Sequence, residues 1–240
     1  MPSQNEILDE LDRHYFGEES DEQDVIDQLP RLCDGCESFL DIGASLGQYT
    51  YFAAQAMGRG RVVALEADPL RYSTLDERSE EWASKLGAEI SVIHGAAADA
   101  AGECEFYVTD CSVSGGMVQH PTADNDPSWR KVVVPSITID DLWSGKIEGE
   151  ESIRPDLIKI DVEGTELRVL KGAEKVLRNG NTKFLVEIHS WGDEERGYTP
   201  ADVFSYMKGF GYRAKPLGRL FLFEKRPSLL KRAARWLFSR

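Results

Sequence analysis

The stretch "FLDIGASLGQYT", Phe39 to Thr50, constrains the fold more than any other part of the chain. A short apolar run ends on Asp41, glycines follow at Gly43 and Gly47, and "QYTYFAAQAM" (48–57) continues with helical spacing. A strand that turns through glycine into a helix opens a βαβ unit, and the pattern then repeats. "RVVALEA" (61–67) reads as a buried strand rich in β-branched residues. Asp68-Pro69 sets an N-cap acid before a first-turn proline, predicting a helix to about Leu86, where Gly87 stops it. "EISVIHGA" (89–96) is the third strand.

The alternation lapses over the next segment. "ECEFYV" (103–108) and "KVVVPSITI" (131–139) read as strands on either side of a long polar loop. It resumes with "DLIKIDV" (156–162), a helix over 165–178, the strand "KFLVEIH" (183–189) and a helix opening at Thr199-Pro200. A hairpin around Gly218 closes the pattern. Such alternation predicts a doubly wound α/β fold, a mainly parallel sheet with helices on both faces. Ligands of such sheets bind beyond the carboxyl ends of the strands.

The glycine turn indicates which ligand. A dinucleotide site has G-x-G-x-x-G, whose middle glycine lets the backbone approach a pyrophosphate. Here Ser45 holds that position, and the chain has no G-K-[ST] phosphate loop. A tight turn at a helix N-terminus still suits an anionic group. The second strand ends in Glu66, twenty-five residues after Asp41, where a carboxylate meets both hydroxyls of a ribose. Asp41 is placed to receive an ammonium, directly or through water. A ligand carrying a carboxylate, a cationic centre and a ribose fits, and S-adenosylmethionine has all three. Its expected contacts are Asp41, Gly43, Ala44, Ser45, Gly47, Tyr49, Glu66 and Ala67, with Asp161. Asp99 in "HGAAADAAG" is a candidate for the adenine amino group or a turn-forming acid, and the adenine is expected near Ala67 and Ala97.

With "VVALEADP", "SITIDDL", "DLIKIDVEGTELRVLKGA" and "LVEIH" added to the opening stretch, the chain resembles the FkbM family of S-adenosylmethionine-dependent methyltransferases over most of residues 38–191. "KIDVEGTE" is the most specific piece. Leu46 departs from the family, where a small β-branched residue more often precedes the glycine. The resemblance implies a class I, Rossmann-like methyltransferase with a seven-stranded sheet, its last strand antiparallel, and methyl transfer usually to a hydroxyl. Residues 1–37 and 192–240 match nothing specific. The expected organisation is a helical extension (1–37), the methyltransferase domain (38–225) and a basic amphipathic tail (226–240).

Methyl transfer from a sulfonium is an in-line displacement, so the protein supplies alignment and a base for the hydroxyl proton. Asp161 and Glu163 end one strand, and Glu187 and His189 end the next. His189 is the expected base because an unperturbed imidazole titrates near pH ~6.5, with Asp161 or Glu187 orienting it or taking the proton instead. A strand-end histidine capping the next loop is the structural alternative. A divalent metal held by Asp161, Glu187 and His189 is another, though no metal is expected from spacing alone. Ser112 and Ser114 are candidates for the substrate opening. The expected acceptor is a sugar, glycan or other small metabolite methylated on oxygen. N-methylation, a non-catalytic cofactor-binding module and a zinc-binding interaction protein are the alternatives.

Composition limits the partners. The net charge of −14 argues against a nucleic-acid backbone. Cys33 and Cys36 form a CxxC ahead of a strand, and Cys104 and Cys111 stand apart, so reduced thiols are expected rather than a zinc or redox centre. The acidic start "MPSQNEILDELDRHYF" is no secretory signal, and no apolar run approaches a membrane span of ~20 residues, so a cytoplasmic protein is expected. Lys231, Arg232 and Arg235 oppose Leu229, Leu230, Trp236 and Leu237 in the tail, which suits either the acidic body or the inner face of a membrane.

Overall fold

Neighbouring residues of each central strand enter opposite hydrophobic cores, and this is what makes the strands continuously apolar. In β1 (Ser38–Ile42), Leu40 and Ile42 pack on one face and Phe39 on the other. β2 (Arg61–Glu66) repeats this with Val63 and Leu65 against Val62, and β7 (Leu157–Ile160) with Ile158 and Ile160 against Leu157. The computed structural model describes residues 22–109, 116–117, 129–190 and 197–225.

The main sheet has seven strands in the order β3-β2-β1-β7-β8-β10-β9, where β3 is Glu89–His94, β8 Lys183–Glu187, β9 Tyr212–Leu217 and β10 Leu220–Lys225. The first five are parallel to one another, whereas β10 runs antiparallel to both β8 and β9. This is the class I methyltransferase arrangement, with the last strand of the chain reversed as expected. One face is covered by α1 (Gln23–Ile26), α2 (Leu29–Leu32) and α3 (Gln48–Met57), through Val25, Leu29, Ala53 and Ala54. α4 (Pro69–Leu86) adds Leu75, packed with Ala64 and Ala44, and is capped by the Asp68 carboxylate on the Leu70 and Arg71 N–H groups. The other face carries α5 (Ile139–Ser144), α6 (Glu166–Lys171), α7 (Glu174–Asn179) and α8 (Pro200–Gly209).

Two local expectations need correction. The strand read over 131–139 is β6 (Arg130–Ile137) and ends early, because Thr138 accepts the Asp141 N–H at 3.0 Å and caps α5. Replacing Thr138 with alanine should lower stability by about 1 kcal/mol, seen as a lower urea midpoint at unchanged slope. The helix expected over 165–178 is interrupted at Gly172-Ala173. A Cβ on Gly172 would stand 2.0 Å from the Ala98 carbonyl oxygen, so the chain meets the neighbouring loop too closely there for any other residue. The two strands read on either side of the polar loop are present, as β5 (Gly102–Val108) and β6, and lie outside the main sheet. They pair antiparallel, and β6 pairs parallel with β4 (Ala96–Ala97), forming a separate three-stranded sheet.

Cys33 is 2% exposed and burial pushes it up to about 12, Cys36 is raised by burial too, and neither is in a disulfide. Cys111, Ser112, Ser114, the acidic start over 1–16 and the tail 226–240 lie outside the described residues.

Candidate active site

The strand order reverses between β1 and β7, and a cavity opens beyond their carboxyl ends. Gly43 makes the opening possible. Its φ is +74°, and a Cβ would lie 1.8 Å from the Asp161 carbonyl oxygen, so the turns after β1 and β7 can approach only with glycine at this position. Ser45 and Glu163 are the two non-glycine residues with positive φ among the described residues, at +51° and +49°, and both line the cavity. Left-handed backbone at such residues is strained, and strain of this kind collects at functional sites.

Glu66 is on the wall, 5% exposed. One oxygen accepts the Ser45 N–H at 2.7 Å and the other accepts the Asp68 N–H at 2.7 Å. A carboxylate offers about four acceptor positions, so each oxygen keeps one for a ligand hydroxyl. Burial raises its pKa, against the pull of Arg71. Beside it, Ala67, Ala97, Phe106 and Met117 make an apolar slot, and Ser45 Oγ is buried with no hydrogen-bond partner. An apolar slot, a strand-end acid and an orphaned hydroxyl fit the adenine, ribose and polar end of S-adenosylmethionine.

Asp41 has a different place from the one expected. It is fully buried, accepts the Thr50 hydroxyl at 2.7 Å, and lies 3.6 Å from Lys159 Nζ. Lys159 is 3% exposed and stands at the centre of the array: it donates to the Gly43 carbonyl at 2.8 Å and lies 3.5 Å from Asp161. Asp41 therefore holds the wall from behind through the lysine, without contact with the cavity. Ala44 and Tyr49 are likewise buried off the wall, Tyr49 under the Lys159 ammonium at 5.1 Å. Gly47 serves packing, since a Cβ there would stand 2.3 Å from Leu75 and 2.8 Å from Trp82. Asp99 pairs with Arg168 at 3.1 Å on the surface and does not reach the cavity.

The four expected catalytic residues do come together. Asp161 and Glu163 are on the wall, and His189 Nε2 lies 3.4 Å from Glu163 and 3.5 Å from Glu187. Burial raises Glu163 to about 7, with the Asp161 charge adding to it and His189 opposing, and burial beside Asp161 raises Glu187 as well. Burial pushes His189 down, but the Glu166 hydrogen bond and the charges of Glu163, Asp161 and Glu166 outweigh it and carry the ring up to about 9. The base role expected for His189 is corrected accordingly: among these carboxylates the imidazole already holds its proton at neutral pH.

Two residues of the array went unread in the sequence. Glu166 is fully buried, accepts the Gly164 N–H at 2.9 Å and lies 2.6 Å from His189 Nδ1. Lys159 is the other. The available signal was a lysine inside the apolar run "LIKI", a position a surface charge does not take.

The fold is that of a class I methyltransferase. The chain belongs to the FkbM methyltransferase family, whose domain model, "Methyltransferase FkbM domain", matches residues 41–214. It is 28% identical over 182 residues to the hexuronic acid methyltransferase AglP of Haloferax volcanii, a match covering 76% of this chain and 66% of that protein. In structure it is similar to the methyltransferase FkbM of Methylobacillus flagellatus, with a TM-score of 0.50, 20% identity, and coverage of 78% of this chain and 43% of that one.

Proposed function

We propose that the chain transfers a methyl group from S-adenosylmethionine to a hydroxyl of a sugar or glycan. The observation that carries this reading is the cavity itself, which joins Glu66 and its apolar slot to the acidic wall of Asp161 and Glu163. The Glu66 end suits the adenosine. The opposite wall, with two carboxylates, suits a sulfonium and favours a developing positive charge on the attacking oxygen. In the reaction an oxygen lone pair forms the O–CH3 bond as the C–S pair returns to sulfur, leaving the thioether. The hydroxyl proton passes to Glu163, the wall carboxylate next to His189.

A sugar acceptor is supported by the relative whose name specifies a hexuronic acid. The cytoplasm is the proposed location, and contact of the tail with a membrane surface stays part of this proposal. The test is incubation of the full chain with labelled cofactor and a panel of free sugars, hexuronates and hexuronate-bearing glycans. Label is expected on oxygen of a sugar. Label on nitrogen, or cofactor uptake with no transfer to any carbohydrate, would overturn the reading.

A further inference from the structure

We propose that Asp161, Glu187 and His189 form a binding site for a divalent cation of the manganese or zinc class, opening onto the cavity. One donor atom from each lies within 4.8 Å of the other two. The residues come from the ends of two adjacent parallel strands, β7 and β8, and are held there by the sheet.

Proximity of acids alone would not make a site, and two further observations point to a cation. First, Asp161 Oδ1 and Glu187 Oε2 are buried without a hydrogen-bond partner, and Glu187 is only 8% exposed. Buried carboxylate oxygens are normally bonded, and an unsatisfied one calls for a missing ion or water. The Arg219 guanidinium is committed to the other oxygen, Glu187 Oε1, and does not satisfy Oε2. Around the cluster, Asp161, Glu163, Glu166 and Glu187 face Lys159, Arg219 and His189, so negative charge is in excess even with a charged imidazole.

Second, the histidine is already held as a ligand would be. Glu166, fully buried and oriented by the Gly164 N–H, lies 2.6 Å from His189 Nδ1. Glu166 accepts the hydrogen bond of Nδ1–H, which leaves Nε2 as the nitrogen facing the cluster; a cation bound there displaces the Nε2 proton, and metal-bound histidines are commonly fixed in this way. Two carboxylates and one imidazole form a mixed oxygen–nitrogen set, which suits Mn2+ or Zn2+ better than the all-oxygen preference of Ca2+.

Because Asp161 is on the cavity wall, a cation there faces the acceptor's side of the cavity and keeps positions for an acceptor oxygen. A hydroxyl bound to it loses its proton more readily, and that proton passes to Glu163. This role in turnover rests on the methyl-transfer reading; occupancy of the site does not.

The experiment is a titration of the full chain with Mn2+, followed by electron paramagnetic resonance, without cofactor or acceptor. One bound Mn2+ per chain is expected, with electron spin echo modulation from a coordinated imidazole nitrogen. Glu187→Gln should weaken binding at least tenfold. Glu166→Gln, which alters a positioning residue behind the ligand, should weaken it about 10- to 100-fold. Circular dichroism checks that both variants fold, and the nitrogen signal of the unmodified chain decides the matter if they do not. No bound Mn2+ at millimolar concentration, no nitrogen coupling, or unchanged affinity in the folded variants would overturn the site. Chelation should then abolish methyl transfer and leave cofactor uptake intact. Full transfer after chelation would overturn the catalytic role, whereas loss of uptake in the metal-loaded chain would count against the methyl-transfer reading.

Discussion

Replacing Lys159 with methionine should destabilise the fold by about 3–5 kcal/mol, more than any surface substitution. Methionine keeps most of the stem's volume, so the loss reports charge rather than packing. The ammonium lies between Asp41 at 3.6 Å and Asp161 at 3.5 Å and donates to the Gly43 carbonyl at 2.8 Å. Without it, Asp41 remains fully buried with only the Thr50 hydroxyl to offset its charge. Removing one partner of a buried ion pair is far costlier than never having had the pair. Equilibrium urea unfolding measures the effect. A loss below about 1 kcal/mol, the range of an exposed ion pair, would mean that the lysine does not hold this wall together.

The second large effect concerns the cofactor. Glu66→Ala should weaken binding of S-adenosylmethionine, and of its thioether product, by about 100-fold or more. Hydrogen bonds to a charged group contribute about 1.5–3 kcal/mol each, and two ribose hydroxyls lose their acceptor together. The substitution also frees the Ser45 and Asp68 N–H groups that the carboxylate now gathers, which loosens the turn around the ligand. Glu66→Gln keeps one acceptor oxygen and should fall between the two. Calorimetric titration with the thioether separates binding from turnover. Unchanged affinity in a folded Glu66→Ala chain would remove the ribose from this end of the cavity.

Legibility in the sequence followed the range of the physics involved. Asp68-Pro69 and Gly87 bound α4 as expected, because a cap and a left-handed stop act within one turn of backbone. The break at Gly172 is set by Ala98, a residue distant in sequence, and no local pattern carries that information. The same holds at the site. Glu66, Asp161, Glu163, Glu187 and His189 were readable as strand-end polar residues, since topology alone brings strand ends to one edge. Whether each faces the cavity depends on partners: Asp41 is drawn inward by Lys159, and Asp99 outward by Arg168. His189 shows the limit most clearly. Its type suggested a base, but Glu166 and Glu163 on either side of the ring reverse the proton balance on which that role depended.

The small sheet beside the cavity has a further consequence. Its departure and return points are stitched together where Ala97 pairs with Ile137 and the Ala98 N–H reaches the Ile137 carbonyl at 2.9 Å. The segment between those two points returns Phe106 and Met117 to the apolar slot of the cavity, so whatever it contributes to the acceptor's side is tied to the seat of the adenine. A chain built this way changes its acceptor by exchanging that segment only where the exchange keeps an apolar pair at the positions of Phe106 and Met117.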